Sequence, residues 1–132
     1  MAQGWDIAPW IMLFMGLYAL AASAGEFRQP GHWAALLDDL ERSPAARFAI
    51  GLLTLTIGAL IYLANPWRPG DWIAMIVSVL GAFAIVEGAL LLASGDRFLA
   101  FARKLLGRGQ RGWAGFGALA GAAMLLAAFS RL

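Results

Sequence analysis

The chain contains no cysteine. Disulfides, thiolate nucleophiles and cysteine metal centres are therefore excluded, and cysteine usage carries no sign of a redox compartment. Histidine is almost as scarce, since His32 is the only one. A haem or metal site that needs two imidazoles from one chain is thus ruled out. Two readings remain for His32: a single ligand shared across a symmetric oligomer, or a polar residue in an interfacial loop. Ser43, Ser78, Ser94, Thr54 and Thr56 lack the histidine or positioned lysine that would activate a nucleophile. The glycine-containing run Gly107, Arg108, Gly109, Gln110, Arg111, Gly112 has no preceding strand, so it reads as a basic turn and not as a phosphate cradle. No aromatic platform or fold motif for nucleic acid accompanies it. The expectation is a protein without catalytic, cofactor or metal residues, not an enzyme, and with no nucleic-acid partner.

Charge is also thin, at 14% of residues against 61% hydrophobic, a balance that a soluble domain of 132 residues cannot hide. A helix needs about 20 mostly apolar residues to cross a bilayer. Four stretches qualify, at roughly 7–24, 47–65, 72–94 and 112–130. The fold expected is all-α: a single polytopic domain, 1–132, built as a four-transmembrane-helix bundle. The first stretch is read as a mature helix and not a signal peptide, because Met1 to Asp6 carries no Lys or Arg.

Four spans place the loops around 25–46 and 95–111 on one side, with both termini and the 66–71 turn on the other. Arg28, Arg42, Arg47, Arg97, Arg103, Lys104, Arg108 and Arg111 lie on the loop side, whereas only Arg68 and Arg131 lie opposite. By the positive-inside rule the two longer loops are cytoplasmic and the termini periplasmic or exterior. Tryptophan favours the headgroup layer. Trp5, Trp10, Trp67 and Trp72 mark one boundary and Trp33 and Trp113 the other.

Two amphipathic helices are expected to lie in the interface on the loop side. In 31–42, Trp33, Leu36, Leu37 and Leu40 form an apolar face opposite Asp38, Asp39, Glu41 and Arg42. In 97–106, Phe98, Phe101, Ala102, Leu105 and Leu106 do the same opposite Arg97, Arg103 and Lys104. Residues 25–47 carry a net charge of −1 and residues 95–111 of +4. The basic segment suits anionic lipid headgroups. The opposite signs also predict docking of the acidic helix, through Asp38, Asp39 and Glu41, on the Arg97, Arg103 and Lys104 helix of another copy or of a partner.

Each half repeats the plan of span, surface segment and returning span. The stretch from Gly16 lies without gaps on that from Glu87, matching Leu20 with Leu91, Ala22 with Ala93, Ser23 with Ser94 and Phe27 with Phe98. The pattern is compatible with two parallel helix-hairpin repeats. In the first half, a span ending in small residues is followed by Pro30, Trp33, Leu36, Leu37, Leu40, Ser43 and Arg47, then Gly51 and Gly58. This half resembles the small YjeT-like two-helix inner-membrane proteins of bacteria, a family without an established activity. The second half lacks the Pro and the Trp of that pattern. The resemblance implies a bacterial inner-membrane accessory protein, multi-pass, working with other membrane subunits or as a homo-oligomer.

Small residues mark candidate packing seams: Gly51 and Gly58, Gly81 and Gly88, and the Gly117 to Gly121 GxxxG spacing. Glu87 is the one formally charged residue well inside a span. Tyr18 and Thr54 fall at the same depth, seven residues or about 10 Å from the loop-side boundary, and each can donate a hydrogen bond. Glu87 therefore reads as a polar clasp with Tyr18 and Thr54, as a docking point for a partner or pigment-type ligand, or as a proton- or cation-coupling site of a small transporter or channel.

Overall fold

The structure is a computed structural model that describes residues 6–107 and 110–132. Trp5, Arg108 and the centre of the basic turn lie outside the described residues. Five helices follow in order: α1 (Ile7–Arg28), α2 (His32–Arg42), α3 (Pro44–Ala64), α4 (Trp72–Leu106) and α5 (Gln110–Phe129). Four of them, α1, α3, α4 and the Arg111–Phe129 stretch of α5, are long and apolar enough to cross a membrane. The chain is all-helical, with no strand among the described residues.

Helix starts follow from local chemistry. Carboxylate or hydroxyl oxygens of Asp6, Ser43 and Asp71 accept from the amides of Ala8, Ala46 and Ala74, at 3.3, 3.1 and 3.2 Å, satisfying donors that the first turn leaves open. Pro44 opens α3, where its missing N–H costs nothing. α4 is continuous from Trp72 to Leu106 except at Ser94, whose φ of −146° and ψ of 55° are not helical. This kink falls where the sequence passes from the apolar span to the amphipathic arm. α1 continues a turn beyond its expected end, through Gly25 to Arg28.

The spans do not pair in chain order. α1 packs along α5 and α3 along α4, while α1 meets α4 and α4 meets α5 over short stretches only. The two legs of each expected hairpin are therefore divided between two pairs. Connection length explains this. The turn between α3 and α4 is short and forces antiparallel neighbours. α2, with its 11 residues, is about 16 Å long, more than the 8–10 Å between packed helices.

Each pair closes on a seam of small residues seven apart, all buried: Pro9, Gly16 and Ser23 on α1, Ala114, Gly121 and Ala128 on α5, Gly51, Gly58 and Asn65 on α3, and Ala74, Gly81 and Gly88 on α4. The backbones nearly touch. A Cβ on Gly88 would lie 2.5 Å from Leu55 N and 2.6 Å from Gly51 O, and one on Gly121 would lie 2.8 Å from Gly16 O. Such approach replaces the hydrophobic effect, which does not drive helix pairing in lipid. Gly117 meets the Ser23 hydroxyl, so both ends of the GxxxG motif are used against α1.

The two pairs are joined mainly at the end that carries the termini. There Ala8, Met12, Ile73, Ala74, Val77 and Ala128 form a buried cluster. Arg131 bridges Asp6 and Asp71 at 2.8 and 2.9 Å, and Arg68 pairs with Asp6 at 3.1 Å. This clasp ties the start of α1, the α3–α4 turn and the residues after α5. At the opposite end α2 acts as a strap across α1, α3 and α4.

Candidate functional site

Three polar groups hold the strap. Glu26, buried at 1% exposure, accepts from the backbone N–H of Gly31 and of Trp33, both at 2.9 Å, and so caps the start of α2 from the last turn of α1. The Trp33 indole N–H donates to Ala22 O at 3.2 Å. Arg47, at the start of α3, donates to the carbonyls of Leu40 and Glu41 at 3.0 and 2.8 Å, and its stem lies against Gly95 beside the α4 kink. Sequence reasoning read Glu26 as one loop charge among several. The available signal was its distance from Gly31, whose φ of +90° makes the turn that brings α2 back over it.

The expected docking of acidic on basic helix forms within one chain. Arg103 pairs with Asp38 at 2.6 Å and also with Glu41. Asp39 instead pairs with Arg42, three residues on, at 2.5 Å. Arg97 and Lys104 have no ion-pair partner among the described residues. Of the six residues named for docking, Asp38, Glu41 and Arg103 are therefore occupied internally. The kink at Ser94 turns the basic arm towards α2, which is why a second copy is not needed to join them.

Glu87, Tyr18 and Thr54 do not come together. No hydrogen bond joins Glu87 to either, and Tyr18 is 75% exposed. Depth counting fixes position along the membrane normal but not direction around each helix. Successive residues are rotated by about 100°. Glu87 is one residue before the seam glycine Gly88 and turns out of the α3 contact, and Tyr18 is two residues past Gly16 and points away from α5. Thr54, three residues past Gly51, stays half-buried near its own seam. Glu87 is exposed on the flank of α4 and has no hydrogen-bond or ion-pair partner among the described residues.

A polar clasp between helices does exist, but elsewhere. Asn65, 1% exposed at the end of α3, donates through Nδ2 to Ala74 O and to Ser78 Oγ, both at 2.8 Å, and Ser78 Oγ donates to Asn65 O at 3.0 Å. Each bond contributes about 0.5–1.5 kcal/mol net. The signal was Asn65 falling seven residues after Gly58 on the same seam.

Outside the spans, electrostatics fix the terminal clasp. Arg131, then Asp71's own N-cap bond to Ala74, outweigh burial and hold the Asp71 carboxyl below its ordinary value. Burial pushes Asp6 up, but Arg131, Arg68 and the Ala8 N–H together bring it below the ordinary value. Both carboxylates stay ionised at neutral pH.

Two concave sites lie at the strap end. An apolar groove of about 340 Å³ is lined by Trp33, Ala102, Leu105, Leu106, Trp113, Phe116, Gly117 and Ala120. A smaller, more polar one of about 210 Å³ lies between Pro44, Arg47 and Phe48 on α3 and Leu91, Leu92, Gly95 and Asp96 on α4. Glu87 lines neither. Among the described residues no group of three or more His, Asp or Glu side chains is arranged to hold a metal ion. No family model, curated protein or solved structure matches the chain.

Proposed function

We propose that the protein is a non-catalytic assembly subunit of a larger complex in a bacterial inner membrane, docking through the flank of α4 that carries Glu87. The observation that carries this reading is a carboxylate inside a membrane span, exposed and without a hydrogen-bond or ion-pair partner among the described residues. Lipid tails offer it no donor. A charged side chain inside the hydrocarbon layer is costly, so such residues face protein or water. A neighbouring subunit supplies that environment.

The shape of the bundle supports the same reading. Phe14, Leu17, Phe83, Val86 and Leu119 are large and exposed at mid-span, and the seams are filled by glycine and alanine, which leaves a thin bundle with broad lateral faces. A Cβ added at Gly115 would meet nothing within 4 Å, so α5 keeps a small-residue face uncovered. The excess of Lys and Arg on the loop side supports a strap in the cytoplasmic interface with both termini outside. Duplication is supported by the pairing itself, because exchanging α1 with α4 and α3 with α5 maps one helix pair onto the other.

The alternative is a small homo-oligomeric transporter or channel in which Glu87 couples a proton or cation. Its support is the same residue, placed on a surface that several copies can gather around a common axis. Migration in mild-detergent extracts of the native membrane separates the two. Comigration with a large complex is the outcome expected of a subunit, and a discrete small oligomer in place of it would rule that reading out.

A further inference from the structure

The smaller cavity at the strap end has a cation and an anion in its wall that do not pair with each other. It encloses about 210 Å³ between the start of α3 and the kinked part of α4, and Arg47, Phe48, Leu92, Gly95 and Asp96 line it. Arg47 uses a single nitrogen, Nη1, on the carbonyls of Leu40 and Glu41. Its Nε and Nη2 make no hydrogen bond or ion pair among the described residues. The guanidinium reaches the cavity because residue 95 is glycine: a Cβ there would lie 3.0 Å from Arg47 Cδ and 3.1 Å from Nε. Asp96, the next residue, is exposed and has no hydrogen-bond or ion-pair partner among the described residues. The strap carbonyls thus hold Arg47 in place, and both charges keep capacity for a guest.

The place of the cavity narrows the choice of guest. Arg47 lies in the first turn of α3, and Gly95 and Asp96 directly follow the kink at Ser94, where α4 passes from its apolar span to its amphipathic arm. Phe48 and Leu92, large and exposed, flank the charges. A guanidinium matches a phosphate with parallel N–H donors, and a carboxylate accepts from an ammonium. An anionic headgroup would meet repulsion from Asp96, and a metal cation would meet it from Arg47. A molecule that carries both charges satisfies the pair.

We infer that this cavity binds the head of a zwitterionic aminophospholipid, with its phosphate on Arg47, its primary ammonium on Asp96 and its acyl chains passing Phe48 and Leu92. The site does not involve Glu87, so this inference and the proposed docking can fail separately.

The test is native mass spectrometry of the full-length protein in micelles supplied with equal amounts of chain-matched phosphatidylethanolamine and phosphatidylcholine. The two lipids differ only in methylation of the nitrogen, and hence in the N–H donors available to Asp96. The wild type is expected to retain one phosphatidylethanolamine in preference to phosphatidylcholine by about fivefold, the discrimination that one partly exposed ion pair supplies. Asp96→Ala removes a side chain without bonds to the rest of the described chain and is expected to retain the two lipids equally. Asp39→Ala, which removes an exposed carboxylate outside the cavity, is expected to keep the preference. Soluble glycerophosphoethanolamine is expected not to displace the lipid, because it lacks the chains. Equal retention by the wild type, a preference that survives in Asp96→Ala or is lost in Asp39→Ala, or displacement by the soluble head overturns the inference.

Discussion

Replacing Gly88 by alanine adds a single methyl group and tests the seam that organises the bundle. The new Cβ would lie 2.5 Å from Leu55 N, 2.6 Å from Gly51 O and 2.7 Å from Leu55 Cβ. Two of these atoms are backbone, so no side chain can swing aside. α3 and α4 must separate by about 1 Å to restore ordinary contact, and a gap of 0.5–1 Å forfeits a quarter to a half of each dispersion well along the interface. Overpacking of this kind costs roughly 1–3 kcal/mol, and the backbone contacts put Gly88→Ala near the upper end. Gly115→Ala is the matched control, because its Cβ meets nothing within 4 Å and the change gains up to about 1 kcal/mol of helix propensity. Reversible unfolding in mixed micelles by titration with a denaturing detergent reads both. Equal stabilities for the two variants would refute the seam as the source of α3–α4 pairing.

The terminal clasp predicts a pH dependence. Because Asp6 and Asp71 titrate below their ordinary values when folded, their contribution is complete above the ordinary carboxylate pKa of about 4 and is lost as pH falls through the lowered folded values. Arg131→Gln is expected to destabilise the protein by roughly 0.5–1 kcal/mol at neutral pH, a small effect because the pairs are partly exposed to solvent. In melting curves run against pH, the gap between variant and wild type closes on acidification, and a gap that widens contradicts the assignment. On the strap, Arg103→Glu is expected to expose α2 to limited proteolysis, and adding Asp38→Lys with Glu41→Lys to restore protection. Asp39→Lys loses only the local pair with Arg42 and serves as the neutral comparison.

Much of the fold can be read from the chain because the bilayer imposes one strong constraint. Runs of about 20 apolar residues located all four spans, whereas the expected separate helix at 97–106 is the continuation of α4 beyond a kink at Ser94. The seven-residue spacing of Gly51 with Gly58 and Gly81 with Gly88 named four of the six residues of the α3–α4 seam, and the same spacing ran on through Asn65 and through Pro9, Gly16 and Ser23. Partner choice was less legible. Hydropathy and depth describe position along the membrane normal, whereas pairing depends on rotation about each helix and on how far a connection can carry the chain. That is why Glu87, Tyr18 and Thr54, equal in depth, face apart. Glu26 was hidden for a related reason, since its partners are backbone amides, which no side-chain pattern announces.

The proposed role rests on Glu87 meeting its partner in another molecule. Glu87→Leu removes a carboxylate that makes no hydrogen bond or ion pair among the described residues, so the isolated protein should unfold at the same denaturant level as the wild type or at a higher one. Separation of native membranes in mild detergent then gives the direct reading: the account predicts that wild-type protein migrates with a large complex and that Glu87→Leu migrates apart from it. A variant that stays in the complex, or that unfolds in isolation, would contradict the account.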